Sequence, residues 1–588
     1  MKSSSRSALI LLAVAAAVGP SAVRAAPPPF PPGAQDERVR TAEGAVQYIL
    51  VVGEGFRPAG LQAVGGRVEW EWPAARIVVA SSPSDTFVAD VRAAPGLDVT
   101  SVAPAVLVLS EAQLTPGAVP GAKAQPLGKG KPKPGKEDAF LDNLQWPLQA
   151  IGAVRHPDGR TPVWQLDDVD GHAYEGRGTT VCFMDSGMPM MDLPKGKRLH
   201  EDYAWYDADT GGIVPVFEDQ AALDAYYAAY GEDEGMDPST AILDEKLGGF
   251  DTDNHATGAS AIFNVRYKPG KQWAMRGIAP GAKAISYGSK DAYGWQNLEK
   301  VMWAFQRAAG DGCQVLAHAT GFFFSKNVEL GSYTEDYRQI FMHALQALDQ
   351  ANILVVVPAG NWGIDVQALH TSAGGPWWTL PQNYPPNVLV VSGAGPRDYD
   401  PDAPDLSVYD PTPGTPRGTT HNLDRPGCFD PPIGTTGYGT MSAAIDLAAP
   451  AGSQPEDPNG YFVPSGWEDS RFGYHGYTSA TSQSMPTVAG VAGLAIEAYT
   501  LAHGKPPTVA RLKEILTRSA DDGVGPARDT IYQWTPELSQ TKSFVMDFLS
   551  GYTAAWQLVE VDVDKPGRDD FLGFGRVNAL QAIEEAKK

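Results

Sequence analysis

Cysteine is scarce in this sequence, with three residues in a chain of 588. That number excludes a fold held together by a framework of disulfide bonds. At most one bridge can form, and Cys313 with Cys428 is the pairing that we expect, although the sequence does not show whether their geometry permits it. Cys182 lies in an apolar strand, and we interpret it as a small buried residue.

Positive charge is also in short supply, because 46 Lys and Arg residues face 69 Asp and Glu residues and leave a net charge of −23. Nucleic-acid binding requires a basic face, so this class of function is excluded. The acidic balance suits a soluble exported protein, and its carboxylates supply the oxygen ligands that calcium prefers. Hydrophobic residues make up 43% of the chain, which is enough for a large core and a smaller domain.

Long apolar runs are missing after the N-terminus, so no later stretch predicts a membrane-spanning helix. The N-terminus itself combines basic Lys2 and Arg6, a short apolar core over residues 8–18, and a small-residue cleavage point after Ala25. These features predict a secretory signal peptide over residues 1–25, with an uncleaved anchor as the alternative. We therefore expect a secreted, extracellular protein.

A hydroxyl-rich segment from Tyr477 leads into an apolar helix that we predict to start near Pro486 and to reach Tyr499. Ser482 lies in this segment and would be presented at a helix N-terminus, where free N–H groups and the helix dipole favour negative charge. That environment suits a nucleophile whose transition state is an oxyanion. The alternative is an ordinary helix cap, and this segment alone does not decide between the two.

Two further segments offer an orienting acid and a base. Residues 180–185 read as a buried apolar strand that ends in Asp185, which would place the carboxylate at the C-terminal edge of a parallel sheet. His255 begins a predicted helix of small residues that can pack closely against a neighbour. Asp185 could instead shape a turn, and His255 could be a cap or a surface histidine.

Asp185, His255 and Ser482 occur in the chain order of the subtilisin-type catalytic triad. The motifs around them, Met184-Asp-Ser-Gly187, His255-Ala-Thr-Gly258 and Thr481-Ser-Gln-Ser-Met-Pro-Thr-Val-Ala-Gly490, resemble those of the subtilisin-like serine proteases, or subtilases. Four more segments resemble the family in matching order: residues 277–282, 355–361, 445–452 and 573–579.

The resemblance implies a peptidase domain over residues 139–588 with an α/β fold, in which helices cover both faces of a largely parallel sheet. It implies a serine endopeptidase in which Ser482 attacks the scissile carbonyl, His255 transfers the proton and Asp185 orients the imidazole. It also implies that Asn361, which follows a Val-rich strand, donates its side-chain amide to the oxyanion. The alternative for Asn361 is ordinary loop chemistry.

Several positions depart from the family pattern. Ala256 and Ala480 stand where the family has glycine, and alanine would strain the backbone there if φ is positive. His318 and Ala319 are unusual for the substrate-binding strand, which puts the subsite preference in doubt, although a peptide backbone can still pair with that strand. Thr487 replaces a histidine outside the triad. None of these changes removes a proton-transfer group.

Residues 37–110 form a separate unit before the peptidase segment. Its pattern predicts strands over 46–52, 68–72, 76–80 and 99–109 and a helix over 84–93 that is capped by Ser84. This arrangement predicts a ferredoxin-like split βαβ fold and resembles the propeptide of subtilases. The resemblance implies a folding chaperone and temporary inhibitor, so that the chain is made as a zymogen; an unrelated accessory domain is the alternative.

Residues 111–138 are rich in proline, glycine and lysine and read as an extended linker, within which we expect cleavage during maturation. Between Asp185 and His255, the segment is longer than in compact subtilases and contains Asp202. The resemblance makes Asp202 a candidate ligand of structural calcium, whereas a solvated acidic loop is the alternative.

The expected partners are protein or peptide substrates and the N-terminal unit as inhibitor, with no nucleic acid, no membrane span and a monomeric state. Two other functions stay open at this point. One is an exported binding protein that has lost catalysis, and the other is an acyl hydrolase or ligase that uses the same triad.

Overall fold

The structure is a computed structural model of the whole chain. It describes residues 38–41, 43–110, 146–155, 163–185, 204–205, 213–214, 216–217, 221, 224, 242–243, 255–266, 277–289, 295–318, 322–323, 332–360, 377–378, 386–396, 424–426, 445–451, 463–465, 476–478, 481–523, 528–534, 556–562 and 565–588. The predicted signal peptide and the predicted linker lie outside these residues.

The N-terminal unit is a four-stranded antiparallel sheet with two helices. Its elements are β1 (Val46–Val52), α1 (Pro58–Ala63), β2 (Arg67–Trp72), β3 (Ile77–Ser82), α2 (Phe87–Ala93) and β4 (Val99–Pro104). The strands lie in the order β2-β3-β1-β4, and all neighbouring pairs are antiparallel. This βαββαβ sequence of elements with split pairing is the predicted ferredoxin-like arrangement, which is therefore confirmed.

The rest of the chain supplies the other strands and helices. The strands are β5 (Leu107–Ser110), β6 (Val154–Arg155), β7 (Val163–Trp164), β8 (Thr180–Asp185), β9 (Ala204–Trp205), β10 (Ile213–Val214), β11 (Val216–Phe217), β12 (Ile242–Leu243), β13 (Val265–Arg266), β14 (Lys283–Gly288), β15 (Trp295–Asn297), β16 (Val315–His318), β17 (Phe322–Phe323), β18 (Leu354–Pro358), β19 (Trp377–Trp378), β20 (Val388–Pro396), β21 (Asp424–Pro426), β22 (Leu447–Pro450), β23 (Val463–Ser465), β24 (Gly476–Thr478), β25 (Arg528–Trp534) and β26 (Trp556–Asp562). The helices are α3 (Trp146–Ala150), α4 (His255–Asn264), α5 (Leu298–Gly310), α6 (Thr334–Gln350), α7 (Thr481–His503), α8 (Val509–Arg518) and α9 (Ala579–Lys587).

The central sheet has eight strands in the order β10-β14-β8-β16-β18-β20-β21, and β22 also pairs with β20. Every pair in it is parallel except β20 with β21. Strands β16 and β18 are buried along their whole length. Because a parallel sheet is covered on both faces, its strands appear in the sequence as unbroken apolar runs, which is why they could be recognised there.

Helices cover both faces of the central sheet. Val181 and Phe183 of β8 pack into one core with residues of α4, α7, α8 and α9. Cys182 and Met184 point to the opposite face and join a second core with residues of α5 and α6. This alternation follows from the two-residue period of a strand. The predicted α/β fold, a largely parallel sheet with helices on both faces, is therefore confirmed.

The N-terminal unit lies against helices α5 and α6. In β1, Ile49 and Val51 belong to the same core as these two helices, whereas Tyr48 and Leu50 pack beneath α1 and α2. Both faces of its sheet are thus buried, one inside the unit and one against the C-terminal region. The unit is therefore docked on the C-terminal region through a shared apolar core.

Helix α7 begins at Thr481, five residues before the predicted start at Pro486. Every residue from Thr481 to Ala498 is buried, and a helix that is apolar all round belongs in a core. By length and composition, α7 could also cross a membrane, contrary to the expectation that no later stretch would qualify, but 78% of its most apolar window is buried inside the fold.

The expected cysteine pairing is wrong, because a disulfide joins Cys182 to Cys313 with Cα atoms 5.8 Å apart. Cys182 points from β8 towards the face covered by α5, and Cys313 lies between the end of α5 and the start of β16, which pairs with β8. The parallel pairing of two strands that are distant in sequence brings the thiols together, and spacing along the chain cannot reveal this. Cys428 lies outside the described residues.

Candidate active site

Asp185 is the last residue of β8 and lies at the C-terminal edge of the parallel sheet, as the sequence predicted. Its backbone pairs in register with Gly288 of β14, and its side chain is fully buried. Open α/β sheets place their ligand and catalytic sites at this edge. A buried carboxylate at that position is therefore a good candidate for chemistry.

The backbone carbonyl of Asp185 is held by a pair of buried polar residues that the sequence analysis missed. Ser289, directly after β14, donates to it through its backbone N–H at 2.9 Å and through its hydroxyl at 3.3 Å. Gln296 of β15 donates its side-chain amide to the Ser289 hydroxyl at 2.6 Å. Ser289 comes immediately after a buried strand, and this position is the sequence feature that could have identified it as a site residue.

His255 is the first residue of α4, in agreement with the prediction that it begins a helix. This helix packs against β8, β14 and α7, and Ala256 and Ala259 are buried in it. Ala256 is not among the described non-glycine residues with positive φ, so the loss of glycine at this position introduces no such strain. Ala480 lies outside the described residues.

Ser482 is the second residue of α7 and is buried. Its backbone N–H is one of the first four of the helix, which have no partner within the helix. Two residues further on, the Ser484 hydroxyl donates to the carbonyl of Ala449 at 2.9 Å and so ties the start of α7 to β22. The N-terminus of α7 is thereby fixed at one end of the sheet.

Thr487 stands where the family has a histidine. Its hydroxyl donates to the Gln483 carbonyl one turn earlier, at 3.0 Å, so the polar group is satisfied within the helix. The substitution therefore leaves no buried hydroxyl without a hydrogen bond.

Helix α7 contacts both α4, which begins with His255, and β8, which ends in Asp185. The three elements that carry the predicted triad are therefore mutual neighbours. The assembly of the three side chains into a hydrogen-bonded triad stays a prediction.

The predicted oxyanion residue Asn361 and the predicted calcium ligand Asp202 lie outside the described residues. Strand β18 ends at Pro358, three residues before Asn361. Gly360 has a φ of +101°, a backbone conformation that residues with a side chain rarely adopt. Among the residues that the structure describes, no group of three or more His, Cys, Asp or Glu side chains is arranged to hold a metal.

His318, which is unusual for the substrate-binding strand, belongs to the core. It is fully buried, and its ring meets Phe305 of α5 edge to face at a centroid distance of 5.8 Å. This histidine therefore packs beneath a helix, so its identity does not by itself define a substrate subsite.

A short strand that follows the N-terminal unit enters a separate four-stranded sheet in the order β15-β5-β17-β19. Leu109 of β5 pairs with Trp295 of β15 on one side and with Phe323 of β17 on the other, in antiparallel register. The chain itself thus fills the gap between β15 and β17. A gap bordered by two strand edges is the kind of site where an extended peptide adds as a further strand.

The N-terminal unit makes polar contacts with α5 and α6 in addition to the shared core. The Val102 N–H donates to Asp336 at 3.0 Å, and Arg92 donates to the same carboxylate at 2.7 Å. The Tyr337 hydroxyl donates to the Pro104 carbonyl at 2.8 Å. These contacts attach the edge strand β4 and helix α2 of the unit to helix α6.

At α5, the Trp70 indole N–H donates to the buried carboxylate of Glu299. At α6, His343 has a pKa below its ordinary value because burial disfavours the imidazolium; a hydrogen bond to the Ala75 backbone opposes this shift, and the charge of Arg76 adds to it. Both contacts depend on residues of the N-terminal unit.

Comparisons with known proteins agree with this fold. The sequence profile of the subtilase family matches residues 176–535. Fervidolysin from Fervidobacterium pennivorans, described as a keratinolytic enzyme related to subtilisin, superposes with a TM-score of 0.51 at 16% identity over 95% of this chain and 62% of its own. The epidermin leader peptide processing serine protease EpiP from Staphylococcus aureus gives 0.50 at 14% identity over 92% and 98%. Sequence identities this low show that the folds are alike and nothing more. No curated protein matches the chain in sequence.

Proposed function

The chain belongs to the subtilase family of serine peptidases, and from this we propose that it is a secreted serine endopeptidase made as a self-inhibited zymogen. The proposed reaction is hydrolysis of peptide bonds through Asp185, His255 and Ser482 with an acyl-enzyme intermediate. The main support for the proposal is that the family profile matches a region with the required arrangement. In that region a buried Asp185 ends β8 beside the helices that begin at His255 and Thr481.

Each residue has a role that its position supports. The Ser482 hydroxyl attacks the scissile carbonyl while His255 accepts the hydroxyl proton, which it later gives to the leaving amine. Asp185 orients the imidazole and stabilises its charged form. The Ser482 N–H at the start of α7 and the Asn361 side chain donate to the oxyanion, where one lost donor costs about a hundred- to a thousandfold in rate.

A binding protein that has lost catalysis was the main alternative, and it was based on Ala256, Ala480 and His318. Ala256 is accommodated in a regular helix and His318 packs against Phe305. Neither residue therefore argues against catalysis. An acyl hydrolase or ligase with the same residues remains distinguishable by its substrates.

Self-inhibition is supported by the path of β5. This strand leaves the N-terminal unit, pairs with β15 and β17, and fills the space where a substrate strand would add. We infer that the N-terminal unit acts as a propeptide and that cleavage after β5, within residues 111–138, releases the site. N-terminal sequencing of the secreted protein tests this, and a mature start before residue 110 would contradict it.

Secretion is supported by the apolar N-terminal segment and by the disulfide between Cys182 and Cys313, because disulfides persist mainly in oxidising compartments. Calcium at Asp202 remains a proposal about stability and takes part in no step of the reaction. The protein is proposed to act as a monomer.

The experiment that tests the activity compares casein with a short ester as substrates of the secreted, processed protein. We expect casein to be cleaved and Ser482→Ala to lower turnover by about six orders of magnitude, because the members of a triad act as a unit. Ser519→Ala is the matched control, because Ser519 is as buried as Ser482 but lies outside the site, where its hydroxyl donates to the Leu516 carbonyl. Ester hydrolysis without casein cleavage would point to the acyl hydrolase.

A further inference from the structure

The buried connection between Asp185, Ser289 and Gln296 is unusual because it consists of polar groups inside a largely apolar region. Gln296 is fully buried and Ser289 nearly so. Burying an amide or a hydroxyl is unfavourable unless it is hydrogen-bonded. Here the Gln296 amide donates to the Ser289 hydroxyl. The Asp185 carbonyl in turn accepts hydrogen bonds from both the N–H and the hydroxyl of Ser289.

Gln296 also belongs to an edge that pairs with another strand. It is the middle residue of β15, and its backbone lies opposite Val108 of β5. The next residue, Asn297, donates its N–H to the Ser289 carbonyl at 3.3 Å. Both the side chain of Gln296 and the backbone beside it are thus bonded to Ser289, which in turn holds Asp185.

From this geometry we propose that Ser289 and Gln296 are positioning residues that link occupation of the β15 edge to the placement of Asp185. A peptide strand that pairs with β15 fixes its backbone, Gln296 then holds the Ser289 hydroxyl, and Ser289 holds the end of β8. This inference rests on the proposed function. It concerns the regulation of that same site by the length of the substrate.

The physical reason is that triad catalysis depends steeply on orientation, since a misplacement of about 1 Å can cost about a hundredfold in rate. Binding energy from parts of the substrate away from the scissile bond can improve that orientation, and longer substrates then have a higher kcat. The hydrogen bonds from Gln296 through Ser289 connect the β15 edge to Asp185 and could transmit this effect.

The test uses two peptides with the same residues around the scissile bond. One is extended on its N-terminal side far enough to pair with β15, and the other is too short to reach it. For the processed wild-type enzyme we expect a higher kcat on the long peptide. In Gln296→Leu, which keeps the size but removes the amide, we expect kcat on the long peptide to fall about five- to tenfold, with KM and the short peptide changed less than twofold.

Ser289 provides a second route to the same answer if Gln296→Leu does not fold. Ser289→Ala should reproduce the loss, and Ser289→Thr, which keeps a hydroxyl, should restore most of the kcat. Ser392→Ala is the matched control, since its buried hydroxyl also donates to a backbone carbonyl, that of Phe571, but on β20. It should keep the advantage of the long peptide.

Equal losses on both peptides, or a lower unfolding temperature with unchanged kinetics, would show that the pair is merely structural and would overturn the inference. Wild-type enzyme that cleaves both peptides at the same kcat would also overturn it, while the proposed function would stand. Wild-type enzyme that cleaves neither peptide would contradict the proposed function itself, and the inference with it.

Discussion

Asp336 allows a quantitative test of self-inhibition, because the free energy of its contacts with the N-terminal unit can be estimated. It lies in the first turn of α6 and accepts hydrogen bonds from the Val102 N–H and from Arg92, both in the N-terminal unit. Asp336→Ala removes both bonds and should therefore weaken the hold of the N-terminal unit on the peptidase region.

The size of the effect follows from the surroundings of the two bonds. Val102 is buried, and a hydrogen bond from such an amide to a carboxylate contributes about 1.5–3 kcal/mol. The Arg92 side chain is 52% exposed, so its ion pair adds no more than about 1 kcal/mol. The sum is about 1.5–4 kcal/mol, which corresponds to about a 10- to 700-fold change in an equilibrium constant.

Hydrogen exchange in an uncleavable Ser482→Ala precursor measures this change. The amides of Leu107–Ser110 are protected when β5 pairs with β15 and β17, and Asp336→Ala should raise their exchange rates by the factor given above. Glu335→Ala is the matched control. Its carboxylate is one position earlier in the chain and, among the described residues, accepts hydrogen bonds from Arg338 and Gln339 of the same helix alone.

If Glu335→Ala and Asp336→Ala raise exchange in β5 equally, the effect comes from the charge or fold of α6 and not from the two bonds of Asp336. If neither variant changes it, β5 is not held by the contact of the N-terminal unit with α6. Either result would contradict the proposed mechanism of self-inhibition.

Three further outcomes are expected. The pKa of His343 is lowered in the assembled chain, mainly by burial, so the stability that neutral His343 contributes is fully present above about pH 6.5 and is lost as the pH falls through the lowered pKa. Acid should therefore speed dissociation of the cleaved N-terminal unit. An identical pH dependence of dissociation in His343→Gln would exclude this histidine as the cause. Replacing Cys182 and Cys313 together by alanine should destabilise the fold by about 4–5 kcal/mol in the chain-entropy account, since the bridge closes a separation of 131 residues; an unchanged denaturation midpoint would refute that account. Calcium should raise the thermal midpoint of the processed protein, and equal midpoints in calcium and in chelator would remove the metal from the account.

Much of the fold could be predicted because buried strands and amphipathic helices leave periodic signals. The strand Val46–Val52 was predicted with its observed bounds. By contrast, α2 starts at Phe87 instead of Ser84, whose hydroxyl accepts the Thr86 N–H in a turn before the helix. Local hydrogen bonds of serine favour a cap and a turn alike, so composition alone cannot separate them.

The site could be predicted where a residue ends or begins a periodic element, as Asp185 and His255 do. It could not be predicted where contacts depend on which strands become neighbours. Ser289 and Gln296 belong to no pattern. They come together because β14 pairs with β8, which places Ser289 on the Asp185 carbonyl, and because the Gln296 side chain of β15 reaches the Ser289 hydroxyl. The pairing of Cys182 with Cys313 was missed for the same reason.

Treating the processed protein with a fluorophosphonate and locating the adduct by mass spectrometry identifies the nucleophile. We expect one adduct on Ser482, formed far more slowly after His255→Ala, because the nucleophile is activated by an adjacent base. An adduct on a different serine, or none on folded processed protein, would contradict the proposed triad.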